Sequence, residues 1–263
     1  MTMRYDAGAA AYDQLTGRWS RLFADETLAA VKRQPSEILL DLATGTGDAA
    51  LLAHETAGGE CVVVGVDLSL PMLRVARDKA RPAALCLVAA DALRLPFADR
   101  FISSAICLFG LMFFPQPVDA LRELRRVLVS GGRAAFTTWA RAERAPFAGI
   151  MAQALATALP EHADDILRPF SLSDPDTVAD YMRVAGFHDV RASTLSRHGS
   201  FGSVEDYLEP YERGGGRLGQ YYLQLDDRAR RRVTAQVRAR LQSLSGAGRI
   251  DVQIDAFLLS GTA

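Results

Sequence analysis

The stretch from Glu37 to Glu55, EILLDLATGTGDAALLAHE, combines the strongest fold signals of the chain. Its first residues are apolar around one aspartate, as in a buried strand, and the glycines lead into an alanine- and leucine-rich helix. The centre, Gly45 to Ala50, matches the dinucleotide fingerprint G-x-G-x-x-G/A. This strand, glycine loop and helix predict a ligand at the loop, either a pyrophosphate or a group of different charge.

Similar apolar strands alternate with helical stretches between Ser36 and Trp139, which predicts a parallel α/β sheet with both faces covered. We expect a Rossmann-like, doubly wound sheet of seven mostly parallel strands in the order 3-2-1-4-5-7-6. The helix that starts at Pro117 is expected to end at a glycine cap, Ser130 to Gly132.

The whole chain, 1–263, is predicted to form one domain. Residues 1–35 would be a helical N-terminal lid and 36–139 the ligand-binding core. Residues 140–263 would complete the sheet and add helical insertions that shape a substrate pocket.

The balance of charge excludes some partners. The chain has 30 basic and 31 acidic side chains, whereas a nucleic-acid partner needs a basic face.

No apolar run approaches the ~20 residues of a membrane span, and no secretory signal is evident, so we expect a cytoplasmic protein. Cys61, Cys86 and Cys107 lack metal or disulfide spacing and are predicted to be small core residues.

Two aspartates bracket the glycines and bear on the ligand's charge. A helix N-terminus favours a pyrophosphate, but Asp41 and Asp48 would oppose it. S-adenosyl-L-methionine carries a sulfonium and an ammonium group and no phosphate. The pattern therefore favours S-adenosyl-L-methionine as the cofactor.

Acids also end the next two strands. Asp67 can accept hydrogen bonds from both ribose hydroxyls, and Asp91 can accept one from the adenine amino group. Leu68 and Met72 can line the adenine, with the Ala92 amide facing the ring. Each aspartate could instead cap a helix, but acids at three successive strand ends favour binding.

Four segments occur in order between Ser36 and Trp139: LLDLATGTGD, GVDLSLPML, AADALRLPFADRFISSAICLFGLMFF and ALRELRRVLVSGGRAAFTTW. They resemble the motifs of class I S-adenosylmethionine-dependent methyltransferases, especially the ubiquinone/menaquinone C-methyltransferase-like branch of small-molecule enzymes. The opening stretch AAAYDQLTGRWSRLF resembles the helices that close over the cofactor in that branch.

The resemblance implies a set of cofactor contacts. Gly45, Thr46 and Gly47 would lie under the methionine moiety, and Leu108 with Phe109 beside the sulfonium. Together with the strand-end residues, the implied set is Tyr12, Trp19, Asp41, Ala43, Thr44, Gly45, Thr46, Gly47, Asp67, Leu68, Met72, Asp91, Ala92, Leu108 and Phe109. Ala43 stands where the family usually has its first glycine. Tyr12 and Trp19 would belong to the lid, although a tryptophan in an amphipathic helix is alternatively a core residue.

Methyl transfer from a sulfonium needs alignment and exclusion of water more than a fixed set of catalytic groups. Catalytic residues therefore stay unassigned, with His198, after strand six, as a weak candidate base near the rim. A small apolar or aromatic methyl acceptor suits the cluster of Phe101, Phe109, Met112, Phe113 and Phe114. Part of the substrate wall is expected in the tyrosine-rich insertion Tyr207 to Tyr222.

Several alternatives stay open at this point. A cyclase could bind the same cofactor without methyl transfer, and the fingerprint leaves an NAD-dependent oxidoreductase or a ligand-free scaffold. Quinone and natural-product biosynthesis both fit an apolar acceptor. The residues do not distinguish C- from O-methylation, nor a monomer from a homodimer.

Overall fold

A computed structural model of the chain describes residues 16–32, 37–58, 61–80, 85–244 and 249–263. Its sheet has seven strands in the order β3-β2-β1-β4-β5-β7-β6, which confirms the predicted order. The strands are β1 Ile38–Leu42, β2 Val62–Asp67, β3 Cys86–Ala89, β4 Ile102–Leu108, β5 Leu128–Trp139, β6 His188–Phe201 and β7 Ile250–Thr262. Strands β1 to β5 pair in parallel, and β7 runs antiparallel to both β5 and β6.

Helices cover both faces of this sheet. They are α1 Arg18–Ser20, α2 Ala24–Ala30, α3 Asp48–Thr56, α4 Leu70–Lys79, α5 Pro117–Val127, α6 Pro146–Ala158, α7 Ala163–Ile166, α8 Pro175–Val184, α9 Val204–Glu212, α10 Gly216–Gln224 and α11 Asp227–Gln242. Short 3-10 turns join them at Arg21–Phe23, Leu111–Phe113, Ala142–Arg144, Pro160–His162 and Arg168–Phe170. No described helix is long and apolar enough to cross a membrane.

The strands bury residues on both faces, as a doubly wound sheet requires. In β1, Leu39 packs into the smaller core beneath α2 and α3, while Leu40 and Leu42 belong to the larger core. In β5, Ala135 packs into the smaller core and Phe136 into the larger one. This period of two follows from the alternating side chains of a strand and fixes the register of the sheet.

Strands β6 and β7 extend past the end of β5. Trp139, the last residue of β5, pairs with Ala256, which in turn pairs with Leu195. Beyond that level, 196–201 and 250–255 continue as a two-stranded arm. The arm projects above the edge where the parallel strands end, called the carboxyl edge below, and leads into α9.

The segment before β1 docks on the sheet through polar contacts, of which the pair Thr27 and Thr137 is buried. The hydroxyls of Thr27 and Thr137 lie 2.6 Å apart, and Arg133 Nε donates to the Ala30 carbonyl at 3.3 Å. Arg197 on β6 donates to the Leu22 carbonyl at 2.8 Å. These contacts fix α2 across β5, whereas its predicted role as a lid stays a prediction, as does the division of the chain at residues 35 and 139.

Three local predictions were wrong. Helix α5 ends at Val127 because Leu128 is already extended and buried opposite Ile102 in β5, so the glycines lie within the strand and do not cap the helix. Cys86 is exposed because β3 is an edge strand, while Cys61 and Cys107 are buried. Phe101 is half exposed at the start of β4, at the opposite end of the sheet from the carboxyl edge.

Candidate functional site

The glycine loop between β1 and α3 is built from left-handed residues. Ala43, Gly45 and Gly47 have φ values of 58°, 56° and 83°. A side chain on Gly47 would place its Cβ 2.9 Å from the Cβ of Ala76, so only glycine lets α3 pack this closely on α4. Ala43 adopts a conformation that favours glycine, which agrees with the family's usual residue at that position.

Asp41, near the end of β1, is a buried carboxyl group with one unsatisfied oxygen. Its Oδ2 accepts a hydrogen bond from the Thr44 hydroxyl at 2.6 Å, while its buried Oδ1 has no hydrogen-bond partner in the described part of the chain. Burial raises the pKa of Asp41 to about 7; the Thr44 hydrogen bond opposes this shift and nearby Asp67 adds to it. A buried oxygen without a donor is costly, so a ligand ammonium placed here would be stabilised.

Asp48, at the start of α3, is held by two cations. Lys79 Nζ lies 2.6 Å from its Oδ1 and Arg21 Nε lies 3.0 Å from its Oδ2. Thr46, which is buried in the loop, lies 3.4 Å from both Asp48 Oδ2 and Lys79 Nζ. The charge of Asp48 is therefore compensated, and it does not oppose an anion as the sequence argument assumed.

Asp67 connects the glycine loop to the end of β2. Its Oδ2 accepts from the Gly45 amide at 2.8 Å, and its Oδ1 accepts from the Ser69 amide at 2.8 Å. Burial raises the pKa of Asp67, and the two amide hydrogen bonds oppose that shift. Each carboxylate oxygen retains a second lone pair, so Asp67 can still accept hydrogen bonds from ribose hydroxyls.

The residues expected around the adenine differ in how accessible they are. Asp91 Oδ1 accepts from the Leu93 amide at 2.9 Å, so this aspartate also caps a turn. Leu68 is 60% exposed at the carboxyl edge, whereas Met72 is only 4% exposed within α4. Ala92 is partly buried. Leu68 thus offers the larger open apolar surface to a planar base.

The end of β4 lies against the glycine loop. A side chain on Gly110 would meet the Cβ of Ala43 at 2.5 Å, so the two loops are in direct contact. This contact brings Leu108 and Phe109 to the glycine loop; their predicted place beside the sulfonium stays a prediction. Phe109 has a left-handed φ of 56°, and its amide donates to the Thr137 carbonyl at 3.0 Å.

From Phe109 a series of touching rings, which we call the aromatic wall, crosses the carboxyl edge of β5 and reaches the arm. Phe109 stacks on Trp139 with centroids 3.5 Å apart, and Trp139 lies 4.8 Å from Phe147. The wall continues through Trp19, which lies 5.7 Å from Phe147 and 5.2 Å from Phe201. Its members are Trp19, Phe23, Phe109, Trp139, Phe147, Phe201, Tyr207 and Tyr211.

Trp19 is 5% exposed and packs so closely on the arm that a side chain on Gly199 would clash with its ring. The alternative interpretation of Trp19 as a core residue is therefore confirmed. Sequence reasoning missed Trp139, Phe147 and Phe201 as parts of the wall. Only Trp139 carried a signal, because it ends a strand at the carboxyl edge.

The remaining predicted residues do not all lie near the glycine loop. Tyr12 falls outside the described residues. His198 lies within β6, not after it, where it is exposed opposite Gln253 on the arm. Met112 is buried and Phe113 and Phe114 are partly buried after β4, so these members of the proposed acceptor cluster stay near Phe109.

Comparisons with known proteins decide the family. The family described as "Methyltransferase domain" matches residues 40–136. A demethylmenaquinone methyltransferase from Corynebacterium kroppenstedtii is 34% identical over 177 residues, which cover 66% of this chain and 72% of that protein. The chain belongs to the S-adenosylmethionine-dependent methyltransferases. This family membership argues against the alternative of an NAD-dependent oxidoreductase.

Two further similarities define how far the match extends. The demethylmenaquinone methyltransferase of Thermus thermophilus is 46% identical over 118 residues, covering 44% of this methyltransferase and 51% of that protein, so the match spans about half of that relative. The structure of phosphoethanolamine N-methyltransferase 2 from Haemonchus contortus in complex with S-adenosyl-L-methionine has a TM-score of 0.61. It is 18% identical, and the match covers 99% of this chain and 58% of that chain, which supports the fold alone.

The residues present fit the cofactor of this family. The unsatisfied Asp41 Oδ1 suits an ammonium group, and Asp67 retains acceptor capacity for a ribose. No cluster of histidine, cysteine and carboxylate side chains in the described ranges could hold a metal ion.

Proposed function

We propose that this methyltransferase moves the methyl group of S-adenosylmethionine to carbon or oxygen of a small, apolar or aromatic acceptor, in quinone or natural-product biosynthesis. The observation that carries the proposal is the glycine loop with the buried Asp41 Oδ1, which has no hydrogen-bond partner among the described residues, next to the apolar residues that follow β4. An apolar acceptor beside the partly buried Leu108, Phe113 and Phe114 would meet the methyl donor there.

Each residue has a limited task in this proposal. Asp41 would hold the ammonium group, Asp67 the ribose, and Asp91 with Ala92 the adenine. The bound cofactor supplies a methyl group already activated by its sulfonium. The apolar residues after β4 would align the acceptor, and the buried aromatic wall behind them would exclude water, which are the main requirements of such a displacement. His198 stays a weak candidate base, because it is exposed on the arm opposite Gln253.

The test joins calorimetry with a transfer assay. S-adenosylhomocysteine should bind the wild-type chain at one site, and radiolabelled methyl should reach an added quinol such as a demethylmenaquinol, the class named for the two sequence relatives. Absence of cofactor binding would overturn the proposal. Binding with turnover but no label in the product would favour the cyclase, which no described contact supports.

The remaining expectations extend this proposal. We further propose that the protein works in the cytoplasm and has no nucleic-acid partner; the formal net charge of −1 supports the second point, because a polyanion needs a basic partner. A gel-shift assay at low salt should show no retention of DNA or RNA. Light scattering would distinguish a monomer from a homodimer.

A further inference from the structure

Arg126, near the end of α5, uses every N–H group of its guanidinium on one loop and one carboxylate. Its Nε and Nη2 donate to the two oxygens of Glu123 at 2.8 and 2.7 Å. Nη2 also donates to the Leu95 carbonyl at 3.2 Å, while Nη1 donates to the Phe97 carbonyl at 3.0 Å and to Asp99 Oδ1 at 2.6 Å. A guanidinium has five N–H donors, and these five hydrogen bonds engage all of them.

The loop held in this way joins β3 to β4 and carries Asp91. Leu95 is bound through both of its backbone groups, because its amide donates to Glu123 Oε1 at 2.8 Å. Leu95 lies outside the strands, so side chains of α5 satisfy backbone groups that a strand partner would otherwise satisfy. The hydrogen bond from Arg126 lowers the pKa of Glu123, with burial opposing that shift, so Glu123 is ionised at neutral pH. Hydrogen bonds to ionised groups are stronger than neutral ones, which makes this attachment firm.

The turn that contains Asp91 is anchored at both of its ends. At the first end, the Ala90 amide donates to the Asp67 carbonyl at 3.1 Å. Within the turn, the Arg94 amide donates to the Asp91 carbonyl at 2.9 Å. At the second end, Leu95 is buried and held by α5. The position of the Asp91 carboxylate therefore depends on β2 on one side and on α5 on the other.

We propose that Arg126 and Glu123 are positioning residues that hold the Asp91 carboxylate where it recognises the amino group of adenine. The proposal rests on the proposed function, in which Asp91 binds the adenine. Both residues act through the loop backbone, because their hydrogen bonds reach the loop at Leu95 and beyond. A hydrogen bond depends on distance and angle, so an acceptor whose supporting contacts are lost discriminates poorly between two bases.

The experiment compares two ligands that differ at the edge of the base that Asp91 would contact. S-adenosylhomocysteine has an amino group there, whereas S-inosylhomocysteine has a carbonyl oxygen, which a carboxylate repels. In calorimetry the wild type should bind S-adenosylhomocysteine at least about tenfold more tightly, the range for a hydrogen bond to a charged group. Arg126→Gln should reduce this preference to less than about threefold, because the carboxylate then lacks its support. Arg126→Lys keeps the charge but not the planar fork, so its preference should lie between the two.

The ratio of the two affinities separates positioning from a general loss of stability, because partial unfolding lowers both affinities alike. Urea titrations establish which variants are folded under the assay conditions. Arg122→Gln, one turn earlier on α5 where Arg122 pairs with Asp119, should leave the ratio unchanged. Asp91→Ala should remove the preference as Arg126→Gln does.

An unchanged preference in folded Arg126→Gln would overturn the proposal. If Arg126→Gln does not fold, an unchanged preference in Arg126→Lys would overturn it. Equal affinities of the wild type for the two ligands would also overturn it, because Asp91 would then not read the base. Absence of binding of either ligand to the wild type would instead contradict the proposed function itself.

Discussion

The two halves of the carboxyl edge are built in different ways. At β1 and β2 the site consists of a short loop and strand-end acids, close together in the sequence and held by backbone amides, as Asp67 is by Gly45 and Ser69. At β5 to β7 it consists of rings from distant parts of the chain, such as Trp19, Phe147 and Phe201.

This difference indicates which half of the site can change in such a protein. A backbone loop of fixed geometry suits a cofactor of fixed structure, because few side chains need to change. The acceptor half is built from side chains on helices and an arm, which can change without altering the loop, so this half suits the variable partner, the acceptor. Variants in one half show whether the two halves are independent.

Substitutions in the aromatic wall should lower the free energy of unfolding more than they lower the affinity for the cofactor. Trp139→Ala removes a nearly fully buried ring and should lower the free energy of unfolding by about 3–5 kcal/mol in urea titrations. Phe101→Ala, a half-exposed ring at the opposite end of the sheet, should cost less than about 1 kcal/mol. If Trp139→Ala stays folded but binds S-adenosylhomocysteine much more weakly than wild type, the halves are coupled.

The buried acid of the cofactor half should make the ligand-free protein sensitive to pH. The folded pKa of Asp41, about 7, lies above its ordinary value of 3.8, so the folded state binds this proton more tightly than the unfolded chain. The stability contributed by the neutral acid is fully present below about pH 4 and is lost as the pH rises through about 7. Between pH 5 and pH 8 this loss should be about 3 kcal/mol.

Urea titrations of wild type and Asp41→Asn at several pH values isolate that contribution. The variant should lose the downward slope, whereas Asp48→Asn should keep it, because two cations already hold Asp48. An identical slope in wild type and Asp41→Asn would show that Asp41 is ionised in the ligand-free fold.

The glycine loop should tolerate a substitution only where the new side chain meets no other atoms. Gly47→Ala combines a left-handed φ with a clash against Ala76 and should cost about 2–4 kcal/mol. Gly45→Ala is also left-handed but has no atom within 4 Å of the new Cβ, so it should cost about 1–2 kcal/mol. Equal losses in chemical denaturation would mean that the packing of α3 on α4 does not limit residue 47.

The cofactor affinity should depend on one of the two loop aspartates. Asp41→Asn should weaken S-adenosylhomocysteine binding about 10- to 100-fold in calorimetry, the range for a lost hydrogen bond to a charged group. Asp48→Asn should change it less than about threefold, because Asp48 is already paired with Arg21 and Lys79. The reverse order would place the ammonium at the start of α3.

The sequence alone determined the cofactor half. Strand periodicity, the glycine loop and acids at successive strand ends are local signals, so the parallel α/β core and the positions of Asp41 and Asp67 could be predicted, whereas the sheet order came from the family resemblance. Tertiary structure decided the charge state of these acids. Asp48 is compensated by Arg21, which precedes β1, and Lys79, which ends α4, and no local pattern joins those three residues.

Only the tertiary structure assembled the acceptor half. The length of the arm depends on the pairing of β6 with β7, and the wall joins Trp19 to Phe147 and Phe201 across more than half of the chain. Contacts between residues so far apart in sequence leave no periodicity to read. The sequence therefore predicted a methyl donor at the glycine loop, whereas the packing of Trp19 on Phe147 and Phe201 emerged only once the chain was folded.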